Sequence, residues 1–230
     1  MQCNLYGKLP TKRDFIALGA PRDFLNAWEP WLQGGVSASQ AILKEQWQQA
    51  FLRAPIWRFW LGADLCGTAV LGAFMPSLDK VGRYFPLTLF ACADQEAAIP
   101  PPELNSQDKW FKAAEDLLIA TLDHDKTFET TVADLNALAA PLQMEFPNAS
   151  AADIFVEGDR TVGVKAGERH FADLFGSLRQ ADHNRIYAAT TCWWTAGGED
   201  FAPMALCTKR MPDPFLFAAM LTGRFADVPA

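Results

Sequence analysis

The feature of this sequence that most constrains its fold is a set of three apolar segments between residues 56 and 93. They run from Ile56 to Leu61, from Thr68 to Met75 and from Phe85 to Ala93. The second and third are nearly continuous apolar runs without polar alternation, which is typical of strands that are covered on both faces. We therefore expect a β-sheet between two layers of helices.

A helical pattern precedes these strands. Between Pro21 and Phe51, apolar residues recur at three- and four-residue spacing, which predicts two helices. Pro30, Gly34 and Gly35 interrupt the pattern. Because proline removes a backbone donor and glycine weakens a helix interior, we expect a kink or a break there.

The second half of the chain continues the pattern of helices and strands. It begins after three consecutive prolines at positions 100–102, which neither a helix nor a central strand tolerates. We interpret this break as a linker or a subdomain seam near residues 97–104. The patterns beyond it predict helices at 110–122 and 128–138, a hairpin at 154–164, strands at 185–194 and 204–208, and a closing helix at 212–221.

Composition and charge exclude several classes of function. Half of the 230 residues are apolar, which is enough for a substantial core. Lys and Arg total 20 against 27 Asp and Glu, a formal charge of −7, so the chain lacks the basic footprint of a nucleic-acid-binding protein. The same balance argues against docking on anionic lipid. We expect a soluble acidic protein.

The N-terminus and the cysteines predict a cytoplasmic location. The first six residues form neither a basic nor an apolar region of a signal peptide, and no apolar run reaches the roughly 18 to 20 residues that span a bilayer. The five cysteines are odd in number and widely spaced, which favours reduced thiols over a disulfide framework.

Motifs of catalysis and cofactor binding are absent from the sequence. It contains no Gly-x-Gly-x-x-Gly, Walker A, Gly-x-Ser-x-Gly, His-Glu-x-x-His or Cys-x-x-Cys pattern. The nearest approach to a metal-ligand cluster is Asp123-His124-Asp125, between two predicted helices, where such residues commonly cap a turn. We therefore predict a protein that is not an enzyme and has no cofactor or metal.

The connection Asp79-Lys80-Val81-Gly82-Arg83 combines both signs of charge with a glycine between two buried strands. Loops on rigid scaffolds often carry binding residues, so these charges are candidates for partner contacts. The structural alternative is that Gly82 permits a tight turn while Asp79 and Arg83 fix its geometry through hydrogen bonds. The sequence is compatible with both interpretations.

Two adjacent tryptophans, Trp193 and Trp194, occupy the end of a predicted strand. Neighbouring strand residues face opposite sides of a sheet, so one can enter the core while the other anchors a partner. We take Trp194 as the candidate partner-binding residue of the pair.

Several of these segments resemble one family over essentially the whole chain. The run from Gly7 to Phe15 is similar to the family's opening signature, a Gly-Lys-Leu-Pro run that leads to Asp-Phe, and the block from Met75 to Thr88 is close to its characteristic turn. On these residues the chain resembles the TagF family, also called ImpM, of type VI secretion-associated proteins. The family usually has glycine where this chain has Arg13.

The resemblance implies a fold, a role and a partner. The expected fold is α/β, a three-layer α/β/α sandwich around a mixed central sheet, in a single TagF-like domain over residues 1–230. The implied role is post-translational negative regulation that holds the secretion apparatus inactive. The implied partner is the forkhead-associated scaffold protein of the type VI secretion system. The candidate partner-binding residues are Lys12, Arg13, Asp79, Lys80, Arg83 and Trp194.

Two other functions stay open. One is an enzyme or small-ligand sensor with its site at residues 79–83, where Arg83 would recognise a phosphate or carboxylate together with Asp79 and the nearby Lys8 or Lys12. The other is a structural component of the secretion machinery. Deletion of the gene distinguishes a repressor from a structural component, because loss of a repressor releases secretion and loss of a component abolishes it.

Overall fold

The centre of the molecule is a seven-stranded β-sheet. The computed structural model describes residues 1–94, 97–123, 125–143, 154–157, 161–165, 174–175, 178, 185–199 and 201–225. Its strands are β1 (Cys3–Gly7), β2 (Ile16–Leu18), β3 (Trp57–Leu61), β4 (Val70–Met75), β5 (Leu87–Cys92), β6 (Ile154–Glu157), β7 (Thr161–Val164), β8 (Thr190–Thr195) and β9 (Met204–Lys209). Its helices are α1 (Arg22–Leu43), α2 (Trp47–Arg53), α3 (Ala63–Cys66), α4 (Asp108–Ala120), α5 (Phe128–Ala137) and α6 (Leu216–Thr222).

The order of strands in the large sheet is β2-β1-β5-β4-β3-β8-β9, and every described pair is antiparallel. The α/β class is confirmed, but the expected mixed sheet is corrected to an antiparallel one. The physical reason lies in the connections: β3, β4 and β5 are consecutive neighbours joined by short segments. Such segments return the chain in the opposite direction, whereas a parallel pair requires a long crossover.

Two hydrophobic cores lie on opposite faces of this sheet. Along β4, Val70 and Phe74 belong to one core, while Leu71, Ala73 and Met75 belong to the other. Helices α1, α2 and α6 cover the first face, and α4 and α5 cover the second. Because side chains alternate across a strand, a strand buried on both faces needs apolar residues at every position. This confirms the interpretation of the continuous apolar runs.

The first core is rich in tryptophans whose indole N–H groups are paired. Trp28 donates to the hydroxyl of Thr88 at 3.1 Å, and Trp57 donates to the carbonyl of Met220 at 2.9 Å. Each such ring removes a large apolar area from water, while the hydrogen bond avoids the cost of burying an unpaired donor. These side chains therefore join α1 and α6 to the sheet.

Helix α1 is continuous over 22 residues. Of the kink or break expected at Pro30 and the two glycines, the break is therefore wrong. The glycines lie where α1 approaches α6: a Cβ on Gly35 would be 2.9 Å from Cγ of Phe217, and one on Gly34 would be 3.4 Å from Pro214. Burial of the apolar stripe of α1, the face to which Gly35 also belongs, outweighs the local penalty. That stripe contains Phe24, Trp28, Trp31 and Leu32.

Most other elements agree with the sequence patterns. The predicted helices at 110–122 and 128–138 correspond to α4 and α5, and a capping box at Thr127 begins α5. The predicted hairpin is β6 paired with β7 in a separate two-stranded sheet. The strand predicted from residue 185 is wrong at its start, because residues 185–188 are helical and β8 begins only at Thr190. The Thr190 hydroxyl donates to the carbonyl of Ile186 at 2.8 Å, which supports this helical turn.

The proline-rich segment is held against the sheet. Ile99 is buried, and its carbonyl accepts a hydrogen bond from the indole of Trp60 at 3.0 Å. The subdomain seam near residues 97–104 stays a prediction, as does the single domain over residues 1–230. Among the described helices, none combines the length and hydrophobicity needed to cross a membrane.

Candidate functional site

Two loops that carry five of the predicted residues meet at one end of the sheet. They are residues 8–15, after β1, and residues 76–86, before β5. Because β1 pairs antiparallel with β5, with Gly7 opposite Leu87, both loops leave the sheet at the same end. The backbone N–H of Lys80 donates to the carbonyl of Lys12 at 2.9 Å. The strand order thus brings together residues about seventy positions apart.

The centre of this arrangement is the buried carboxylate of Asp79, which is fully inaccessible to solvent. Its Oδ2 accepts hydrogen bonds from Nζ of Lys8 at 2.9 Å and from Nε of Arg83 at 2.6 Å. Its Oδ1 accepts from the backbone N–H groups of Val81 at 3.0 Å and Arg83 at 2.9 Å. A buried charge is stable when it is paired and fully hydrogen-bonded, and this carboxylate satisfies both conditions.

The same contacts keep Asp79 ionised. Burial alone raises the pKa of the Asp79 carboxyl, but the hydrogen bonds from Lys8, Arg83 and Val81 together lower the pKa well below its usual range. The carboxylate therefore carries its charge throughout the neutral range. Lys8 is itself buried, so the two opposite charges compensate each other inside the protein.

The turn has the geometry that the structural interpretation of residues 79–83 predicted. Gly82 has φ of +83°, which favours glycine, and its N–H donates to the carbonyl of Asp79 at 2.9 Å. The N–H of Asp79 donates in return to the carbonyl of Arg83 at 3.1 Å. The guanidinium of Arg83 also donates to the carbonyl of Arg13, which fixes the first loop against the second. A ligand that recruited Arg83 would compete with these bonds.

Around the turn lies an exposed surface, called here the loop surface, formed by Arg13, Phe15, Lys80, Val81 and Arg83. All five residues are exposed, with Phe15 and Val81 at 51% and 56% of their maximal accessible area. The ring of Phe15 packs edge-on against that of Phe85, with centroids 4.8 Å apart. The loop surface therefore presents three cations and two exposed apolar side chains, with Asp14 as a negative charge nearby in sequence.

Lys12 is half-buried and differs in its surroundings from the other cations of these loops. Its Nζ lies 3.9 Å from the ring centroid of Phe128, at the start of α5, in a cation–π contact. This contact links the first loop to the helical layer over the second core.

Trp194, the sixth predicted residue, lies apart from the loop surface. It is on β8, separated from β5 by two strands, and is half-buried, with its ring edge-on to that of Phe111 at 5.0 Å. Its neighbour Trp193 is fully buried in the core on the opposite face. The two tryptophans lie on opposite faces of the sheet, as the alternation of strand side chains predicts. That Trp194 anchors a partner stays a prediction.

Sequence reasoning missed the two apolar members of the loop surface and considered Lys8 only under the ligand-site alternative. Val81 was the sequence signal that could have revealed them, because it is an apolar residue within a charged turn. Within the described ranges, no group of three or more His, Cys, Asp or Glu side chains is arranged to hold a metal ion. His124, the centre of the possible cluster at residues 123–125, lies outside those ranges, as do the other two histidines.

A family model described as TagF N-terminal domain, type VI secretion system-associated, matches residues 4–138, which is more than half of the chain. The chain belongs to the TagF family. The matched region includes both loops and the whole of the loop surface. The protein is therefore a type VI secretion-associated TagF protein, and the resemblance found in the sequence is confirmed.

The TagF fold described above also occurs in a solved structure. The chain is similar to the Pseudomonas aeruginosa PAO1 protein PA0076, known from a crystal structure, with a TM-score of 0.79 and 29% sequence identity. The match covers 100% of this chain and 98% of that one. No curated protein matches the sequence.

Proposed function

We propose that this TagF protein is a post-translational negative regulator that binds the forkhead-associated scaffold protein of the type VI secretion system and blocks assembly of the apparatus. Membership of the TagF family supports the link to this system. The observation that carries the binding proposal is the loop surface, in which two loops distant in sequence form one exposed patch over a buried ion pair.

The loop surface has the chemistry of a protein-binding site. Arginine and aromatic residues are enriched at interfaces, and the loop surface exposes Arg13, Arg83 and Phe15. The bonds of Asp79 hold the turn in place before a partner arrives, so little conformational freedom is lost on binding. Rigid presentation of this kind favours recognition by a protein surface.

Charge suggests which part of a partner would dock there. The whole chain carries a formal charge of −7, yet the loop surface presents three cations. An acidic region of the scaffold protein would be attracted to this patch and oriented by it. Repression then follows from occupancy in the cytoplasm, where the bound scaffold cannot assemble productively, and it requires neither a cofactor nor bond chemistry.

The direct test measures binding of the purified scaffold protein to this protein and to two double variants. The first variant, Arg13→Glu with Lys80→Glu, reverses two charges of the loop surface. The control, Lys109→Glu with Lys209→Glu, makes the same change of net charge at exposed positions on α4 and β9. We expect the first variant to bind roughly tenfold or more weakly and the control to bind nearly as the parent does.

Two results would contradict this proposal. Absence of any association between the parent protein and the scaffold protein would exclude the scaffold protein as the binding partner. Equal loss of affinity in both double variants would show that net charge, and not the loop surface, governs binding.

A deletion strain tests the direction of the effect. Loss of a repressor releases secretion, so we expect increased export of a type VI substrate in a strain that lacks this protein. Restoring the parent gene should return secretion to its original level, whereas the charge-reversed variant should fail to do so. Abolished secretion in the deletion strain would instead identify a structural component.

A further inference from the structure

Strands β8 and β9 each carry one cysteine at a paired position. Cys192 lies directly opposite Cys207 in the antiparallel register, and their Sγ atoms are 3.4 Å apart. Both thiols are free. The two side chains therefore point to the same face of the sheet and are in contact.

This placement suits a disulfide. Directly opposed residues of antiparallel strands have Cα atoms about 4.5 to 5.5 Å apart, within the roughly 4.4 to 6.8 Å that disulfides span. The sulfur atoms would need to close from 3.4 Å to about 2.05 Å, and side-chain rotation with a small strand shift provides that movement.

The two sulfur atoms differ in access to solvent. Cys207 is exposed and lies on β9, which is the last strand of the sheet order, while Cys192 is buried. Burial raises the pKa of the Cys192 thiol to about 12, and the adjacent sulfur of Cys207 and the nearby carboxylate of Glu103 act in the same direction. Cys192 thus stays protonated at neutral pH, and a soluble oxidant meets Cys207 first.

We propose that Cys192 and Cys207 are an oxidation site at which a hydroperoxide forms a reversible disulfide. Cys207 releases its proton to solvent and its thiolate attacks a peroxide oxygen. The O–O bond breaks, a sulfenic acid forms, and the departing hydroxide takes up that proton to give water. The Cys192 sulfur then attacks the Cys207 sulfur, forming the S–S bond as the S–O bond breaks. The hydroxide that leaves takes the thiol proton, so two thiols and one hydrogen peroxide give one disulfide and two waters.

The bond would covalently link the edge strand to its neighbour. It would form a covalent ring with the chain segment that connects β8 to β9. This segment includes the β-bridge between Gly198 and Phe201. Such a link restricts the unfolded chain and stabilises the folded hairpin. This site is independent of the loop surface and of the function proposed for it.

The test treats the full-length protein with hydrogen peroxide, blocks remaining thiols by alkylation, and maps disulfide-linked peptides by mass spectrometry. We expect a link between Cys192 and Cys207, loss of two hydrogen atoms in the intact mass, and recovery of both thiols with dithiothreitol. Cys66 and Cys92 serve as internal references that remain available for alkylation after unfolding.

The matched variant is Cys207→Ser, which changes an exposed residue and leaves the core intact. It should form no intramolecular link, and peroxide should not raise its melting temperature. The parent should melt several degrees higher after oxidation. Oxidation of Cys207 to sulfinic acid without a link to Cys192, or a link only between two molecules, would overturn the proposal.

Discussion

Asp79 is buried and charged, and the stability of a buried charge depends on the partners that surround it. Lys8, Arg83 and two backbone N–H groups supply those partners. The same carboxylate also determines the backbone path of the turn that presents Lys80 and Val81. Changes at this residue should therefore affect stability far more than changes at the exposed residues beside it.

Asp79→Ala should lower the free energy of unfolding by about 3 to 5 kcal/mol, because it leaves the ammonium of Lys8 buried without its partner. Lys80→Ala, one residue along the same turn but exposed, should change it by no more than about 0.5 kcal/mol. Urea unfolding followed by tryptophan fluorescence measures both values. Similar effects of the two substitutions would show that the buried pair does not stabilise the turn.

The lowered pKa of Asp79 predicts a specific acid sensitivity. A carboxyl whose pKa is lower in the folded than in the unfolded state stabilises the protein above its unfolded pKa, near 3.8, and loses that contribution as the pH falls towards the folded pKa. The stability advantage of the parent over Asp79→Asn should be constant between about pH 6 and 8 and shrink below about pH 4. Unfolding curves at several pH values test this. A stability advantage of the parent that does not change in acid would contradict a lowered pKa of Asp79 in the folded protein.

At the scale of elements, α1 shows that contacts between helices override local propensity. The helix contains Pro30 and two adjacent glycines and is nevertheless continuous. Gly34 and Gly35 are neighbours in sequence, but only Gly35 is in close contact with Phe217 of α6. The two glycines therefore have different roles and offer a matched pair of substitutions.

Gly35→Ala should destabilise the protein by about 1 to 3 kcal/mol, because the added methyl group would overlap Cβ and Cγ of Phe217, which lie close to the α6 backbone. Gly34→Ala should be neutral or stabilise it by up to about 1 kcal/mol, since its methyl group meets Pro214 at an ordinary contact distance and alanine favours the helix. Thermal unfolding of the two variants measures the difference. The reverse order would refute the proposed packing.

At the scale of the whole molecule, one sheet separates two cores that contain residues from both sides of the proline segment. The second core combines Leu71 and Leu89, which precede the segment, with Leu118 and Leu135, which follow it. Helices beyond the segment thus complete a core begun by strands before it. We expect the two faces to unfold together.

Leu32→Ala in the first core and Leu118→Ala in the second provide the test, because both leucines are fully buried. Each should lower the free energy of unfolding by about 2 to 5 kcal/mol. Both should shift one transition that coincides in fluorescence and far-ultraviolet circular dichroism. A second transition in Leu118→Ala alone would instead support a subdomain seam near residues 97–104.

The sequence by itself determined the features that depend on neighbours along the chain. Apolar runs and periodic stripes predicted strands β3 to β5 and helices α4 and α5, because the alternation of a strand and the periodicity of a helix are local properties. The blocks from Gly7 to Phe15 and from Met75 to Thr88 identified the TagF family. The charged turn was predicted for the same reason, since its glycine and its charges lie within five residues.

Only the tertiary structure decided the features that depend on residues far apart in sequence. Lys8 and Asp79 are 71 positions apart, and their ion pair required β1 to lie beside β5. The antiparallel direction of the sheet, the continuity of α1 and the exposure of Phe15 likewise depend on which elements pack together. Because a pattern in one segment carries no information about its spatial neighbour, the loop surface emerged only when strand pairing placed its two loops at one end of the sheet.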